Sequence, residues 1–280
     1  MDEKKVTIED IRAKKRGGEK IAMLTAYDYP MARILDEAGI DIVLVGDSLG
    51  MVVLGYDSTL EVTMDDMIRH AQAARRGTKR ALLVGDMPYK SFDTPADAVK
   101  NARRFVEEAG CAAVKLEGGA AVIEQTKAIV AAGIPVMGHL GLTPQSADKL
   151  GGFKVQGRDA EKAREILADA KRLEEAGCFS LVLECVPDRL AKMVTDESGI
   201  PTIGIGAGIY CDGQVLVLYD MIGLFDRFTP KFVKKYANVS GEASAGIKAF
   251  ISEVRSGAFP GGEHSFKMKD EELEKLRKID

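Results

Sequence analysis

The chain has 280 residues, 46% hydrophobic and 29% charged, a balance that supports a sizeable core without disulfide or metal staples. Its formal net charge is −4, with lysine and arginine spread along the chain, which argues against nucleic acid and against an acidic membrane surface as partners. Cys111, Cys178, Cys185 and Cys211 form no C-x-x-C pair and residues 1–16 carry no apolar signal core, so a reducing cytoplasm is the expected compartment and no stretch is long enough to span a bilayer.

In chain order, residues 21–28 (IAMLTAYD) open a series of short apolar runs that each end in a polar or glycine-rich turn. The others are 41–48 (DIVLVGDS), 81–88 (ALLVGDMP), 113–119 (AVKLEGG), 135–142 (PVMGHLGL), 180–187 (SLVLECVP), 201–208 (PTIGIGAG) and 214–223 (QVLVLYDMIG), eight in all. Continuous β-branched runs of this kind suit strands buried on both faces of a parallel sheet. Amphipathic helices are expected between them at 30–38, 64–77, 94–109, 121–132, 160–176 and 187–198. Four of these end in Ala-Gly, where glycine accepts the left-handed conformation that stops a helix, and Thr63 and Thr94-Pro95 read as helix starts.

Eight strands alternating with helices predict an α/β fold, a (β/α)8 TIM barrel, as one domain over 1–280 with a helical tail from about 225. Residues 209–213 are too few for a crossover helix, so either a tight turn replaces it or the eighth strand is misplaced. The tail is expected to hold helices at 229–237 and 244–255, a Gly/Pro turn at 256–266 and a charged helix at 269–280. An open nucleotide-binding sheet would need a glycine fingerprint after an early strand, and no G-x-G-x-x-G or G-x-x-x-x-G-K-[ST] is present.

Barrel enzymes carry their reactive groups at the C-terminal ends of the strands. There the runs place Asp47, Asp86, Lys115, Glu117, His139 and Glu184. Charges in or just beyond apolar strands are costly unless paired or bound to metal. Asp47, Asp86 and Glu117 are hard oxygen donors on neighbouring strands and suit Mg²⁺ or another divalent cation; the alternative is that each caps a helix or pairs with a lysine. Glu184 follows Ser-Leu-Val-Leu, and a carboxylate desolvated there can hold a proton near neutrality, which makes it a candidate general base; a buried structural ion pair is the competing reading. Lys115 can meet a substrate carboxylate, neutralise Asp86 or Glu117, or do both. His139, between two glycines, contacts substrate, assists proton transfer or is simply a satisfied histidine. Gly204, Gly206 and Gly208 resemble a phosphate cradle, but with no basic neighbour close packing is the favoured reason for them.

Taken together, VGDSLGMVVLGYDSTLEVTMDDMIRH, LLVGDMPYKSF, AVKLEGG, PVMGHLGLTPQS, LVLECVP and PTIGIGAGIYCDGQVLVLYDMIGL resemble the ketopantoate hydroxymethyltransferase family of pantothenate biosynthesis. The resemblance runs in order over about 6–268. It implies a barrel of the phosphoenolpyruvate/pyruvate group and a reaction of 3-methyl-2-oxobutanoate, 5,10-methylenetetrahydrofolate and water to 2-dehydropantoate and tetrahydrofolate, through a metal-stabilised enolate. It implies further that Asp47 and Asp86 bind Mg²⁺, with Glu117 at the metal directly or through water, that Ser48 and Lys115 hold the oxo acid, and that Glu184 is the base. His139 is an accessory candidate, loops 49–60 and 143–157 are lid candidates, and a homo-oligomer is expected, with 51–54 a possible contact. The competing readings are a metal-dependent carbon–carbon lyase or mutase of the same group, whose K-K-C-G-H type of lid motif is absent, and a non-catalytic barrel that binds a 2-oxo acid.

Overall fold

The computed structural model describes residues 4–146, 152 and 154–278. Eight parallel strands close into a barrel in sequence order: β1 (Ile21–Thr25), β2 (Ile42–Val45), β3 (Leu82–Asp86), β4 (Ala113–Glu117), β5 (Val136–Gly141), β6 (Ser180–Glu184), β7 (Thr202–Ile205) and β8 (Gly213–Leu216). The α/β barrel expected from the sequence is therefore the fold. Around and between the strands lie α1 (Ile8–Gly17), α2 (Tyr29–Glu37), α3 (Leu49–Val52), α4 (Met64–Gly77), α5 (Pro95–Glu107), α6 (Ile123–Ala131), α7 (Ala160–Glu175), α8 (Asp188–Glu197) and α9 (Leu218–Met221). Helices α10 (Val239–Ser256) and α11 (Asp270–Arg277) follow. No helix among the described residues is long and apolar enough to cross a membrane.

The two-residue period of the strands explains both the core and the site. Ile42 and Leu44, Leu82 and Val84, Met137, Val182, Ile203 and Ile205 fill the barrel interior. Their alternates Val43, Val45, Leu83, Val114, Leu116, Leu181 and Leu183 pack outward against the helices. Continuing the inward parity of β3, β4, β5 and β6 to their ends brings in Asp86, Lys115 and Glu117, His139, and Glu184. The pattern that builds the apolar interior thus delivers the polar groups to one rim.

Four local expectations are corrected or completed. Helix α1 is unannounced by the charged N-terminus. It starts at a capping box in which Thr7 Oγ1 accepts from Asp10 N (3.1 Å) and Asp10 Oδ2 from Thr7 N (2.9 Å), and it puts Ile11 into the barrel interior. The β7–β8 link is indeed a tight turn, pinned by Asp212 Oδ2, which accepts from Thr202 N and Lys15 Nζ at 2.8 Å each. The eighth strand is shorter than 214–223: Leu218 N donates to Thr25 Oγ1 (3.0 Å) instead of continuing the ladder, and the chain turns into α9. The helix expected over 229–237 is absent, because Tyr236 N donates to Met221 O (2.8 Å) and Val239 N to Ile222 O (3.0 Å), tying this segment to α9 rather than to its own preceding turn. The remaining tail helices are present; α10 begins at Val239, earlier than 244.

Candidate active site

Strand register makes the centre. Asp86 lies beside Lys115 across β3–β4 and Glu117 beside His139 across β4–β5. Lys115 Nζ donates to Asp86 Oδ1 at 2.5 Å and stands 3.8 Å from Glu117 Oε1. His139 Nδ1 is 3.4 Å from Glu117 Oε1, and its Nε2 is 3.2 Å from Glu184 Oε2 without the alignment of a hydrogen bond. Five of the residues read from the sequence, Asp86, Lys115, Glu117, His139 and Glu184, thus form one chain of contacts. Asp47 joins it from the turn after β2, its backbone N–H 3.4 Å from Asp86 Oδ2. Ser48, beside it, shares a 2.9 Å hydrogen bond with the Tyr27 hydroxyl.

All of these except Ser48 and Glu184 are buried; the Glu184 side chain keeps 15% exposure, so it is less desolvated than its apolar strand suggests. Burial, and then the neighbouring charges of Asp86 and Glu117, hold Asp47 well above the usual carboxylate range. Burial also raises Asp86, against the pull of Lys115. Glu117 goes the other way: burial opposes ionisation, but His139, Lys115 and the Gln145 N–H outweigh it and keep its carboxylate low. Burial and the Lys115 charge work to lower His139, yet Glu117 and Glu184 prevail and lift it to about 9. Pairing with a lysine holds for Asp86 and, at longer range, for Glu117, both against Lys115. Among the described residues Asp47 has no cationic partner at hydrogen-bond range, and its Oδ2 accepts from the Gln145 amide at 2.8 Å.

Gln145 escaped the sequence reading. Its backbone N–H donates to Glu117 Oε2 (3.0 Å) and its side-chain amide reaches both Asp47 and Met87 O (3.0 Å), so one neutral residue after β5 ties two carboxylates together. The only signal was its place behind Thr-Pro at a strand end. Tyr27 also went unread; it is buried, bonded to Ser48, and its carbonyl is 2.6 Å from His70 Nδ1. Cys185, directly after Glu184, has φ +48°, a left-handed conformation costly for a side chain and characteristic of strained functional turns.

The centre forms the floor of a cavity of about 710 Å³ whose upper walls include Met51, Val52, Phe225, Phe228 and Phe232. Of the expected lids, 49–60 contributes α3 with Met51 and Val52 turned to the cavity, while Val53 and Leu54 are exposed. Of 143–157, residues 147–151 and 153 lie outside the described residues; Val155 lines the cavity and Gln156 N donates to Cys185 O at 2.9 Å. The glycines after β7 serve packing: a Cβ on Gly208 would come within 2.5 Å of Asp188 and one on Gly206 within 2.8 Å of the Phe232 ring.

A parallel eight-stranded barrel with its polar residues at the C-terminal rim defines the class. The same fold occurs in 2,3-dimethylmalate lyase, described as a member of the PEP mutase/isocitrate lyase superfamily (TM-score 0.60, 15% identity, 98% of this chain and 94% of that one). It occurs also in phosphonopyruvate hydrolase, solved with oxalate and Mg²⁺ (TM-score 0.60, 13% identity, 92% of each chain). At such identities the likeness is one of fold. Sequence is more particular: residues 5–262 match the profile of the ketopantoate hydroxymethyltransferase family, and the chain belongs to that family of enzymes. It is similar to the 3-methyl-2-oxobutanoate hydroxymethyltransferases of Desulfotalea psychrophila (62% identity, 93% of this chain and 94% of the relative) and Syntrophomonas wolfei (56%, 97% and 99%).

Proposed function

We propose that this enzyme transfers a hydroxymethyl group from 5,10-methylenetetrahydrofolate to 3-methyl-2-oxobutanoate, giving 2-dehydropantoate and tetrahydrofolate. The observation that carries the reading is the contact of His139 with Glu184 beside the Asp47–Asp86–Lys115–Glu117 cluster, at the floor of a cavity much larger than the oxo acid. It supports the reading because a carboxylate that could accept a proton and a lysine ammonium that could bind an anion line one cavity.

A divalent cation such as Mg²⁺ fits the donor set. Asp47 and Asp86 are buried acids that favour protons over bare charge, and Lys115 and His139 lie against Asp86 and Glu117 and leave Asp47 without a close cation among the described residues. Among the described residues no three His, Cys, Asp or Glu side chains close on an ion unaided. That agrees with Mg²⁺, which takes one or two carboxylates and completes its shell with water and substrate oxygens. Asp47 and Asp86 would hold it, with Glu117 in support through its bonds to Gln145 and His139. Bound there, the cation supplies a Lewis acid for the keto oxygen that favours loss of the adjacent proton.

The chain's own residues do the rest. Lys115 and Ser48 bind the oxo-acid carboxylate and fix its orientation. Glu184 removes the proton from C3. His139, held against Glu117, presents Nε2 to Glu184 and orients that carboxylate. The one-carbon unit, at the oxidation level of formaldehyde, joins C3 as both of its C–N bonds to the folate break; water provides its hydroxyl oxygen, and the proton from C3 and one from that water end on the two folate nitrogens. Loop 49–60 limits access of stray water to the reacting carbon. In the same reading the enzyme acts in the cytoplasm as a homo-oligomer.

The test is product formation. Purified enzyme with Mg²⁺, 3-methyl-2-oxobutanoate and methylenetetrahydrofolate is expected to yield 2-dehydropantoate and tetrahydrofolate one for one by chromatography. Cleavage of a 2-oxo-acid substrate without folate would favour the lyase reading instead.

A further inference from the structure

The cavity extends well beyond the carboxylate centre, and a five-carbon oxo acid leaves most of it open. Its outer walls include Phe225, Phe228 and Phe232; the first two meet edge to face with ring centroids 5.7 Å apart. The same cavity is lined by a carboxylate with no part in the chemistry above. Asp220, in α9, is 8% exposed, lines the cavity, and has its Oδ1 buried without a hydrogen-bond donor among the described residues. The hydroxyls nearby are already engaged: Tyr219 donates to Asp28 Oδ2 (3.2 Å) and Tyr27 bonds Ser48. An unmatched buried acceptor is expensive, so a ligand that brings donors to it would recover that cost. Burial lifts the Asp220 carboxyl to about 6, with Lys235 opposing, as expected of an acid whose partner comes from outside.

Resting on the reaction proposed above, we infer that Asp220 recognises the folate co-substrate, its carboxylate accepting from the adjacent N3–H and 2-amino groups of the 2-amino-4-oxopyrimidine ring. Two neighbouring donors on one planar edge match the two oxygens of a carboxylate, and the phenylalanines offer flat apolar walls to the ring. Tyr27 connects Ser48 to the neighbour of Asp220: its hydroxyl meets Ser48 at 2.9 Å, and its ring packs edge-on against Tyr219, the residue before Asp220, at 5.4 Å. Anchoring the pyrimidine edge at Asp220 leaves the opposite side of the pterin, which carries the transferable carbon, free to face the oxo acid. Lys231, also lining the cavity, suits the carboxylates of the folate tail.

The experiment is calorimetric titration of Mg²⁺-loaded enzyme, wild type and Asp220→Asn, with tetrahydrofolate and with its 2-desamino-2-methyl analogue. Wild type is expected to bind tetrahydrofolate about ten- to a hundredfold more tightly than the analogue, and the variant to bind both with the weaker affinity. Asp220→Ala, expected to lose the same discrimination, serves if the asparagine variant does not fold. Equal discrimination in wild type and variant, or loss of affinity by the same factor for both ligands, overturns the assignment. A wild type that binds the analogue as well as tetrahydrofolate also overturns it while leaving the reaction intact, whereas a wild type that binds neither overturns the proposed reaction together with the assignment.

Discussion

His139 is the residue on which the electrostatics of the site turn. It touches Glu117 and Glu184, and together they lift its imidazole to about 9. A raised histidine binds its proton more tightly folded than unfolded. Its contribution is therefore full below the ordinary 6.5 and lost as pH rises through about 9. The metal-free enzyme is expected to lose on the order of 2–3 kcal/mol of stability across that window, and His139→Asn to flatten the slope; denaturant unfolding at several pH values measures both. Asp47 and Asp86 add a metal-dependent prediction. Both are raised, so they favour the fold below the ordinary 3.8 and cease to do so as pH climbs through their folded values. Mg²⁺ replaces those protons and is expected to stabilise by about 2.7 kcal/mol at a hundred times Kd at pH 8 and by less at the same concentration at pH 5, read as the shift in melting temperature. Equal shifts at the two pH values would contradict the ligand assignment. These acids were legible because a charge ending an apolar run is conspicuous. Gln145 and Tyr27 were not: a neutral amide in a loop and a tyrosine at a strand end contrast with nothing around them, and their importance lies in partners distant in sequence, as with Gln145 and Asp47. Asp220 was hidden inside what reads as a strand.

At the scale of elements, Asp36 shows how the barrel is fastened. Its carboxylate accepts from the backbone N–H groups of Lys79, Arg80 and Ala81 at 2.7–3.1 Å, tying the end of α2 to the chain entering β3. Asp36→Ala strands these donors and is expected to cost about 2–3 kcal/mol in denaturant unfolding while leaving the KM for the oxo acid unchanged. Gly141 serves the site directly. At φ +93°, with a Cβ there only 2.2 Å from Glu184 O, Gly141→Ala must push the β6 end outward. It is expected to cost more than about 1 kcal/mol and to lower kcat, since Glu184 moves with its backbone. The strands were readable because a doubly buried strand is apolar throughout, and the helices because Ala-Gly and threonine caps punctuate them. The segment 229–237 misled because its periodic pattern is helical, while beyond the single turn Val233 N to Pro230 O the amides of Tyr236, Val239 and Ser240 donate to Met221, Ile222 and Gly223.

At the scale of the molecule, the barrel and its terminal arm differ. Helices α10 and α11 bury no residue, and Ile247, Phe250, Val254 and Phe266 stand exposed. Such a face is characteristic of a surface that another chain covers. The proposed homo-oligomer is expected to give a light-scattering mass that is a multiple of the 30.2 kDa chain, and removal of residues 239–280 to lower the number of subunits. An unchanged assembly after truncation would move the interface elsewhere.

The central claim is that Glu184 removes the C3 proton of the oxo acid in a site completed by a divalent cation. It is tested most directly by NMR of 3-methyl-2-oxobutanoate in D₂O, with and without Mg²⁺, for wild type and Glu184→Gln. Exchange at C3 that requires the metal and falls by about 10²-fold or more in the variant, with metal affinity retained, is the predicted result. Exchange undiminished in Glu184→Gln, or none in metal-loaded wild type even with folate present, would contradict it.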